Sequence, residues 1–428
     1  MTKTGRLGVS CALLVSVLAL IGGVRLVAPA TSGVQGTPPG VDGQLTFLRG
    51  ALDAGAGERA QRLFPEGHFF AHVLYGLARV EYAARFGTGE PQRIEAVREA
   101  GWALEQLDSP VGRAPFNPDL TPAYGVFYVG WTTWLRGGVL ALEAPERRDP
   151  VQVRRFAEDS AALGAAFDAA GTPYLPAYSG QAWPVDSTVA VAALRLHDTL
   201  LPPRYAGTVD RWLDGVRQRL DPRTGLMPHR VDPDTGMPVE VARGTSQSMI
   251  HRFLPEVDGD FAREQYLRFR DRFVTTPLRL GPAVREYPEG TSGVGDVDSG
   301  PLLLGVSLSA TVVTLGAAQV HGDDRLAAAL ARFGEFAGLP LHTPSTELLD
   351  ARSTKRYAFG VMPVGDAFLA WSKTARPWVA SPPTAPPPPD VPGWWQLPLL
   401  AGLLVVGLLP WVPWLVARRR RSRAGGLS

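Results

Sequence analysis

The densest run of residues able to do chemistry reads Arg285-Glu286-Tyr287-Pro288-Glu289-Gly290, then Gly295-Asp296-Val297-Asp298-Ser299-Gly300-Pro301. Four carboxylates fall within thirteen residues, bounded by glycines, which is more acid than a turn requires. Two carboxyl groups held apart can divide acid and base roles, as in glycoside hydrolysis. Glu289 and Asp296 have no capping role to fill and are the catalytic candidates here, against cation binding or plain solvation. Asp298 has the simpler reading of a helix N-cap, because Pro301 suits a first turn, with catalysis or substrate binding as the functional reading. The Asp296-x-Asp298 spacing lacks the rest of a calcium loop, so no metal is expected from it.

Other places carry reactive residue types. Asp186 follows Trp183-Pro184 and opens a helix, either as a cap or as a catalytic carboxylate. Tyr174, Tyr178 and Trp183 cluster just before it, and aromatic faces stack on sugar rings or hydrocarbon. His229 lies between two proline-bounded turns and is the type readiest for proton transfer near neutral pH. Its candidate partner is Glu240, across Asp232-Pro233-Asp234-Thr235-Gly236, which reads as a hairpin turn. His68 and His72 share a helix face at i, i+4, yet no third metal ligand is evident and packing explains them better. The candidate set is therefore Asp186, His229, Glu289 and Asp296 for catalysis. Tyr178, Trp183, Arg243, Tyr287, Asp298, Arg356 and Tyr357 are the candidates for substrate binding.

Several classes of function are excluded. The single cysteine, Cys11, lies in the first hydrophobic segment, so the main domain has no disulfide and no reactive thiolate. No P-loop, nucleophile elbow or dinucleotide fingerprint appears, and no cofactor is expected. The net charge is +2, and an Arg-rich tail supplies more than that, so the domain is slightly acidic and gives no support to a nucleic-acid partner. Only three of the 43 basic residues are Lys, a compositional bias that makes any single Arg uninformative.

Hydrophobic periodicity and start–stop signals place these residues on helices. Twelve are expected, at 42–54, 68–86, 90–108, 123–145, 150–170, 186–201, 203–220, 244–256, 258–275, 300–321, 323–338 and 363–374. Short links at Gly87-Thr88-Gly89, Pro202 and Gly322 make antiparallel hairpins. Leading helices recur at intervals of roughly 55–63 residues, and a unit of that size suggests a repeated hairpin closed into a ring. The helix at 363–374 would pair with that at 42–54 to complete it. The expected fold is all-α, an (α/α)6 toroid of six helical hairpins, in preference to an open solenoid, which would need polar caps at its ends. The helices at 186–201 and 300–321 are apolar nearly all round, as an inner ring would be. The chemically unusual segments 64–68, 124–134, 183–187, 243–247, 285–301 and 356–366 precede the six leading helices, so they would converge on one mouth.

The ends point to the membrane. Residues 1–30 hold Lys3 and Arg6, an uncharged run from 7 to 24, and Ala28-Pro29-Ala30, a cleaved signal peptide or a retained signal anchor. Residues 396–417 are uncharged and flanked by Trp394, Trp395, Trp411 and Trp414, and five arginines follow in 418–428. That pattern reads as a transmembrane helix with a cytoplasmic tail. Between domain (40–376) and anchor, the proline-rich 377–393 reads as a stiff stalk that lifts the domain at about 3 Å per residue.

The stretch Ala182-Trp183-Pro184-Val185-Asp186 and the turn Asp221-Pro222-Arg223-Thr224-Gly225-Leu226 resemble the linalool dehydratase–isomerase domain. More distantly, the pattern is similar to six-hairpin glycosidases and epimerases. The resemblance implies an (α/α)6 fold with its site at the mouth. It does not carry dehydratase chemistry, because that family's cysteines are missing and Val185 stands at the nearest equivalent position. The expected function is a membrane-anchored, extracytoplasmic hydrolase, lyase or epimerase of the bacterial envelope, acting on a glycan or lipid-linked substrate. The alternative is a non-catalytic binding or assembly protein of the envelope.

Overall fold

The computed structural model describes residues 3–345, 352–381, 387–388 and 391–416 of the 428. The basic tail at 418–428 and much of the proline run lie outside the described residues. Sixteen α-helices are described. The first half holds α1 (Lys3–Val27), α2 (Val41–Asp53), α3 (Ala56–Gln61), α4 (Gly67–Ala83), α5 (Pro91–Asp108), α6 (Pro110–Arg113), α7 (Gly125–Ala141) and α8 (Pro150–Ala169). The second holds α9 (Pro184–Leu200), α10 (Ala206–Arg217), α11 (Gly244–Phe253), α12 (Gly259–Phe273), α13 (Leu308–Val320), α14 (Asp324–Ala337), α15 (Pro363–Thr374) and α16 (Leu397–Leu408). Short strands decorate the loops as antiparallel pairs. β1 (Arg230–Val231) pairs with β2 (Pro238–Glu240), which is the hairpin expected around Asp232. β3 (Val274–Thr275), β4 (Ala283–Arg285) and β5 (Val306–Ser307) form a small sheet, and β6 (Leu341–Thr343) pairs with β7 (Thr354–Arg356).

Local signals account for most helix starts. Proline occupies the first turn of α5, α8, α9 and α15, where its missing N–H costs nothing. Asp258 and Asp323 cap α12 and α14 by accepting from Phe261 and Leu326 N–H. One start differs from expectation. The helix expected from residue 300 begins at Leu308, because Gly300, Leu304 and Gly305 adopt left-handed φ values of 65°, 55° and 77°. Ser307 is its cap, accepting from Ala310 N–H at 3.2 Å, so Asp298 caps no helix.

Six helices form the centre. α4 contacts α7, α7 contacts α9, α9 contacts α11, α11 contacts α13, α13 contacts α15, and α15 returns to α4. Each carries one outer companion: α5 on α4, α8 on α7, α10 on α9, α12 on α11, α14 on α13 and α2 on α15. The central helices are buried nearly all round; in α4 only Phe70 is not. Small residues let them approach closely, as where a Cβ on Gly130 would lie 3.1 Å from that of Ala190.

The C-terminal ends of the central helices are sealed. Arg252 and Glu81, both buried, form an ion pair there, and Thr374 Oγ1 donates to Glu81 at 2.8 Å. The chain leaving α15 crosses this end. Buried Glu256 accepts from the N–H groups of Trp378, Val379 and Ala380 at 2.9, 2.8 and 2.8 Å. Trp378 stacks on Trp134 with ring centroids 4.4 Å apart. The described parts of the proline-rich segment therefore lie against the domain rather than standing free as a spacer. Arg270 donates to Pro388 O at 2.6 Å, and Val391 and Trp395 are buried, because indole and valine side chains carry apolar surface that water disfavours.

Gly8–Val27 and Leu397–Val416, each 20 residues with a mean hydropathy of 2.2, are long and apolar enough to cross a membrane. They pack on one another in antiparallel fashion. Ser16 Oγ donates to Gly407 O at 2.8 Å, Trp411 Nε1 donates to Ser16 Oγ at 2.8 Å, and Gln396 Nε2 donates to Leu26 O at 2.6 Å.

The seal generates a prediction. Arg252→Met leaves the Glu81 carboxylate buried without its partner and lowers stability by about 3–5 kcal/mol. The double substitution Glu81→Leu/Arg252→Met recovers most of that loss, because no charge is left stranded. Denaturant midpoints of the detergent-solubilised chain check both; a single variant as stable as the parent would refute the role of the pair.

Candidate functional site

At the opposite end, where the six central helices begin, lies a cavity of about 320 Å³. Every central helix or the loop before it contributes to the wall. Phe70, Phe127, Trp131, Trp183, Met249 and Phe368 make most of that wall apolar. The acidic groups are Glu66, Asp186 and Asp298, with His229 and Ser246 beside them. No Arg or Lys is among the described lining residues, so the cavity is electronegative.

Asp186 stands in the first turn of α9, after Pro184. Trp183 holds the cap position and makes no side-chain cap, so the Asp186 carboxyl is left to face the cavity instead of serving the helix end. Burial pushes this carboxyl up to about 8, with the charges of Asp298 and Glu66 adding to the effect; the Trp131 side chain pulls the other way. Asp298 is open to solvent at the rim, yet enough protein crowds its carboxyl to push it up to about 6, helped by Asp296 and Glu66 and opposed by Arg243. Glu66 immediately precedes α4 and accepts a hydrogen bond from the Tyr178 hydroxyl, whose own ionisation burial and Glu66 push up strongly. The Tyr178 ring meets Trp183 edge-on at 5.6 Å.

His229 is placed by the β1–β2 hairpin, where its N–H donates to Glu240 O at 3.2 Å. Its Nδ1 is hydrogen-bonded to Ser246 Oγ, and its Nε2 lies 3.9 Å from Glu240 Oε2. Burial, then the nearby Arg243, lowers its value to about 4, so the ring is neutral at pH 7. Glu240 itself is held by Arg230 Nε at 2.7 Å.

Arg243 is the strut beneath this wall. Its Nε meets Glu286 at 2.7 Å, its Nη2 meets Asp296 at 2.6 Å, and its guanidinium carbon lies 5.4 Å from the Tyr287 ring centre. Asp296 also accepts from the N–H groups of Asp298 and Ser299 at 3.1 and 3.0 Å, which folds the loop that presents Asp298. Burial pushes the Asp296 carboxyl up, but Ser299 and Arg243 more than offset this and hold it below the usual range. Asp296 is thus a tied structural group.

Five of the sequence candidates line the cavity together: Asp186, His229, Asp298, Tyr178 and Trp183. Arg243, Tyr287 and Asp296 support it from behind, Tyr287 through its hydroxyl on Val294 O at 2.9 Å. Glu289 is exposed and outside the cavity wall, its backbone N–H donating to Arg272 O at 2.9 Å. Arg356 and Tyr357 are also outside it. The Tyr357 hydroxyl reaches Glu335 at 2.6 Å, a carboxylate that Lys355 and Lys373 also hold at 2.8 and 2.6 Å. The His68 and His72 rings lie tilted against each other with centroids 4.1 Å apart, and no metal-holding group of three His, Cys, Asp or Glu occurs among the described residues. Sequence reasoning did not select Glu66, Trp131 or Ser246, although the segment holding each stood out as one that precedes a central helix. No protein-family model matches the chain, and no curated protein matches it.

The raised value of Asp186 has a consequence for stability. A carboxyl whose folded value exceeds its unfolded one costs the fold stability as pH rises from about 4 to about 8. Asp186→Asn removes that cost, so the variant gains on the order of 1–4 kcal/mol over the parent at about pH 9 and none at about pH 4. Thermal melts across that range test this; parallel curves for parent and variant would mean that Asp186 ionises freely.

Proposed function

We propose that the chain is a membrane-tethered, extracytoplasmic enzyme on an (α/α)6 toroid, a hydrolase, lyase or epimerase in which Asp186 and Asp298 divide acid and base work on a glycan or lipid-linked envelope substrate. The closed circuit of six central helices with six companions supports the toroid. The antiparallel pairing of α1 and α16 supports a topology in which the start of α1 and the end of the apolar segment near Trp411 face one side of a bilayer, the side to which Lys3, Arg6 and the arginines after 417 belong in sequence. By the positive-inside rule that side is cytoplasmic, which leaves the domain outside.

The observation that carries the chemistry is the pair of carboxyl groups in one apolar cavity with values pushed apart, to about 8 and about 6. Environments that separate two titrating groups assign the acid and the base. Near neutral pH, Asp186 keeps its proton and can donate it to a departing oxygen. Asp298 is largely ionised and can accept one from water or from a carbon acid. Burial keeps Asp186 protonated, and Glu66, held by Tyr178, adds to that effect. The aromatic wall suits the faces of sugar rings or hydrocarbon, and the absence of Arg and Lys from its described lining disfavours an anionic ligand part.

The Ser246–His229 hydrogen bond favours a second reading, in which Ser246 is a nucleophile and His229 its base. A panel of envelope glycans and lipid-linked saccharides, assayed with the full chain, separates the two. In the first reading, Asp186→Asn and Asp298→Asn each lower kcat by about 10²–10⁴ with KM little changed. The pH profile of the parent is bell-shaped between about 6 and about 8, the values of the pair. Unchanged turnover in both Asp variants, with loss in Ser246→Ala and His229→Ala, transfers the chemistry to the second reading. Binding without turnover in the parent would make this a binding protein.

A further inference from the structure

We infer that the open end of the helical ring rests on the lipid bilayer, so that its cavity is loaded from the membrane surface. The inference rests on reading α1 and α16 as membrane helices, and on no role for Asp186 or Asp298.

The tethers leave the domain at its cavity end. Central helices begin at the cavity, so their outer companions, running back from the sealed end, finish level with it. α14 returns from α13 through the turn at Gly322, and its last turns therefore lie at the cavity end. There the apolar end helices attach. Phe333 packs on Trp395 with centroids 6.4 Å apart, a Cβ on Gly22 would lie 3.3 Å from the Phe336 ring, and Arg25 donates to Pro340 O at 2.7 Å. Beyond these contacts α1 and α16 run on together past Ser16 and Gly407. The C-terminal segment starts at the far, sealed end on Glu256, passes Arg270 at Pro388, and reaches Phe333 at Trp395. It thus climbs the wall of the domain before entering α16. A tether leaving the sealed end directly would need no such climb.

This placement also brings an apolar surface to the bilayer. Apart from Ile94, Val151 and Leu267, every exposed large apolar side chain described between residues 41 and 376 lies on a connection from an outer helix to the next central one, or at the start of that helix. All those connections are at the cavity end. Leu63, Leu278, Leu303, Leu308 and Val361 are 82%, 73%, 76%, 73% and 81% exposed. Val297 is 67% exposed and also lines the cavity, so rim and interior are continuous. Apolar surface left in water at about 25 cal/mol per Å² marks a contact site when it gathers on one face. The occupant is lipid because the tethers hold this face at the bilayer, at a high effective concentration of lipid. For the proposed enzyme, this narrows the substrate to a molecule carried by the membrane.

The test uses the full chain with Cys11→Ser, a single Leu304→Cys, Val361→Cys or Val151→Cys for attachment of an environment-sensitive fluorophore, and vesicles whose lipids carry a nitroxide quencher. Leu304 and Val361 are at the open end, whereas Val151 is 56% exposed at the sealed end. The expected result is loss of fluorescence at Leu304 and Val361 with none at Val151. Chain that floats with the vesicles but is unquenched at Leu304 and Val361, or is quenched more at Val151, overturns this orientation alone. Chain that does not float overturns the membrane reading and this inference with it. Neither outcome depends on whether the carboxylates are catalytic.

Discussion

A helix that is apolar round its whole circumference can be kept from water only by enclosing it among other helices. The rest of this structure follows from that constraint. α4 buries every residue but one, and α7 and α9 bury most of theirs, so each needs neighbours on both flanks, a companion outside and something across the axis. A circuit in which α15 returns to α4 supplies flanks to all six central helices without leaving an apolar edge. Every central helix then runs the same way, which gives the molecule two unlike ends. One collects helix C-termini, and Trp378, Glu256 and the Arg252–Glu81 pair close it. The other collects helix N-termini and the long loops, and stays open.

The two ends use buried carboxylates in opposite ways. Glu81 and Glu256 are met by a guanidinium and by three backbone N–H groups, so their charge is spent on holding chain segments together. At the open end, Glu286 and Asp296 are likewise tied to Arg243. Among the described residues no cation pairs with Asp186, and desolvation dominates its protonation. The difference is one of proton affinity. A carboxylate locked to an Arg gives its proton affinity away, whereas an unpaired one in an apolar wall keeps a proton near neutral pH and can deliver it.

The route of the chain after α15 couples these features to the ends. Because Trp378 and its neighbours lie across the sealed end, the segment to α16 must pass along the outside of the domain, where Arg270 and the apolar face of α14 receive it. A proline-rich sequence in isolation is a spacer, but Val391 within it and Trp395 just beyond it give the domain surface something to bury. The result draws the domain close to the α1–α16 pair.

Much of the architecture was legible in the sequence because its signals are local. Helix periodicity, prolines at first turns and the Gly322 turn act over a few residues, and the twelve expected helices all appear, with one start displaced by eight residues at the glycine-rich approach to Leu308. Composition alone ruled out thiol chemistry in the domain, and the two apolar ends declared themselves by length. Which polar residues meet was decided only by the tertiary structure. Glu66 and Tyr178 are 112 positions apart, and Asp186 feels Asp298 across a similar gap. Within the loop richest in acid, Asp298 turns to the cavity, Asp296 to Arg243 and Glu289 to solvent, and nothing in the sequence sets these directions. Side-chain direction in a loop follows from long-range contacts, and a single sequence carries no local signal for those.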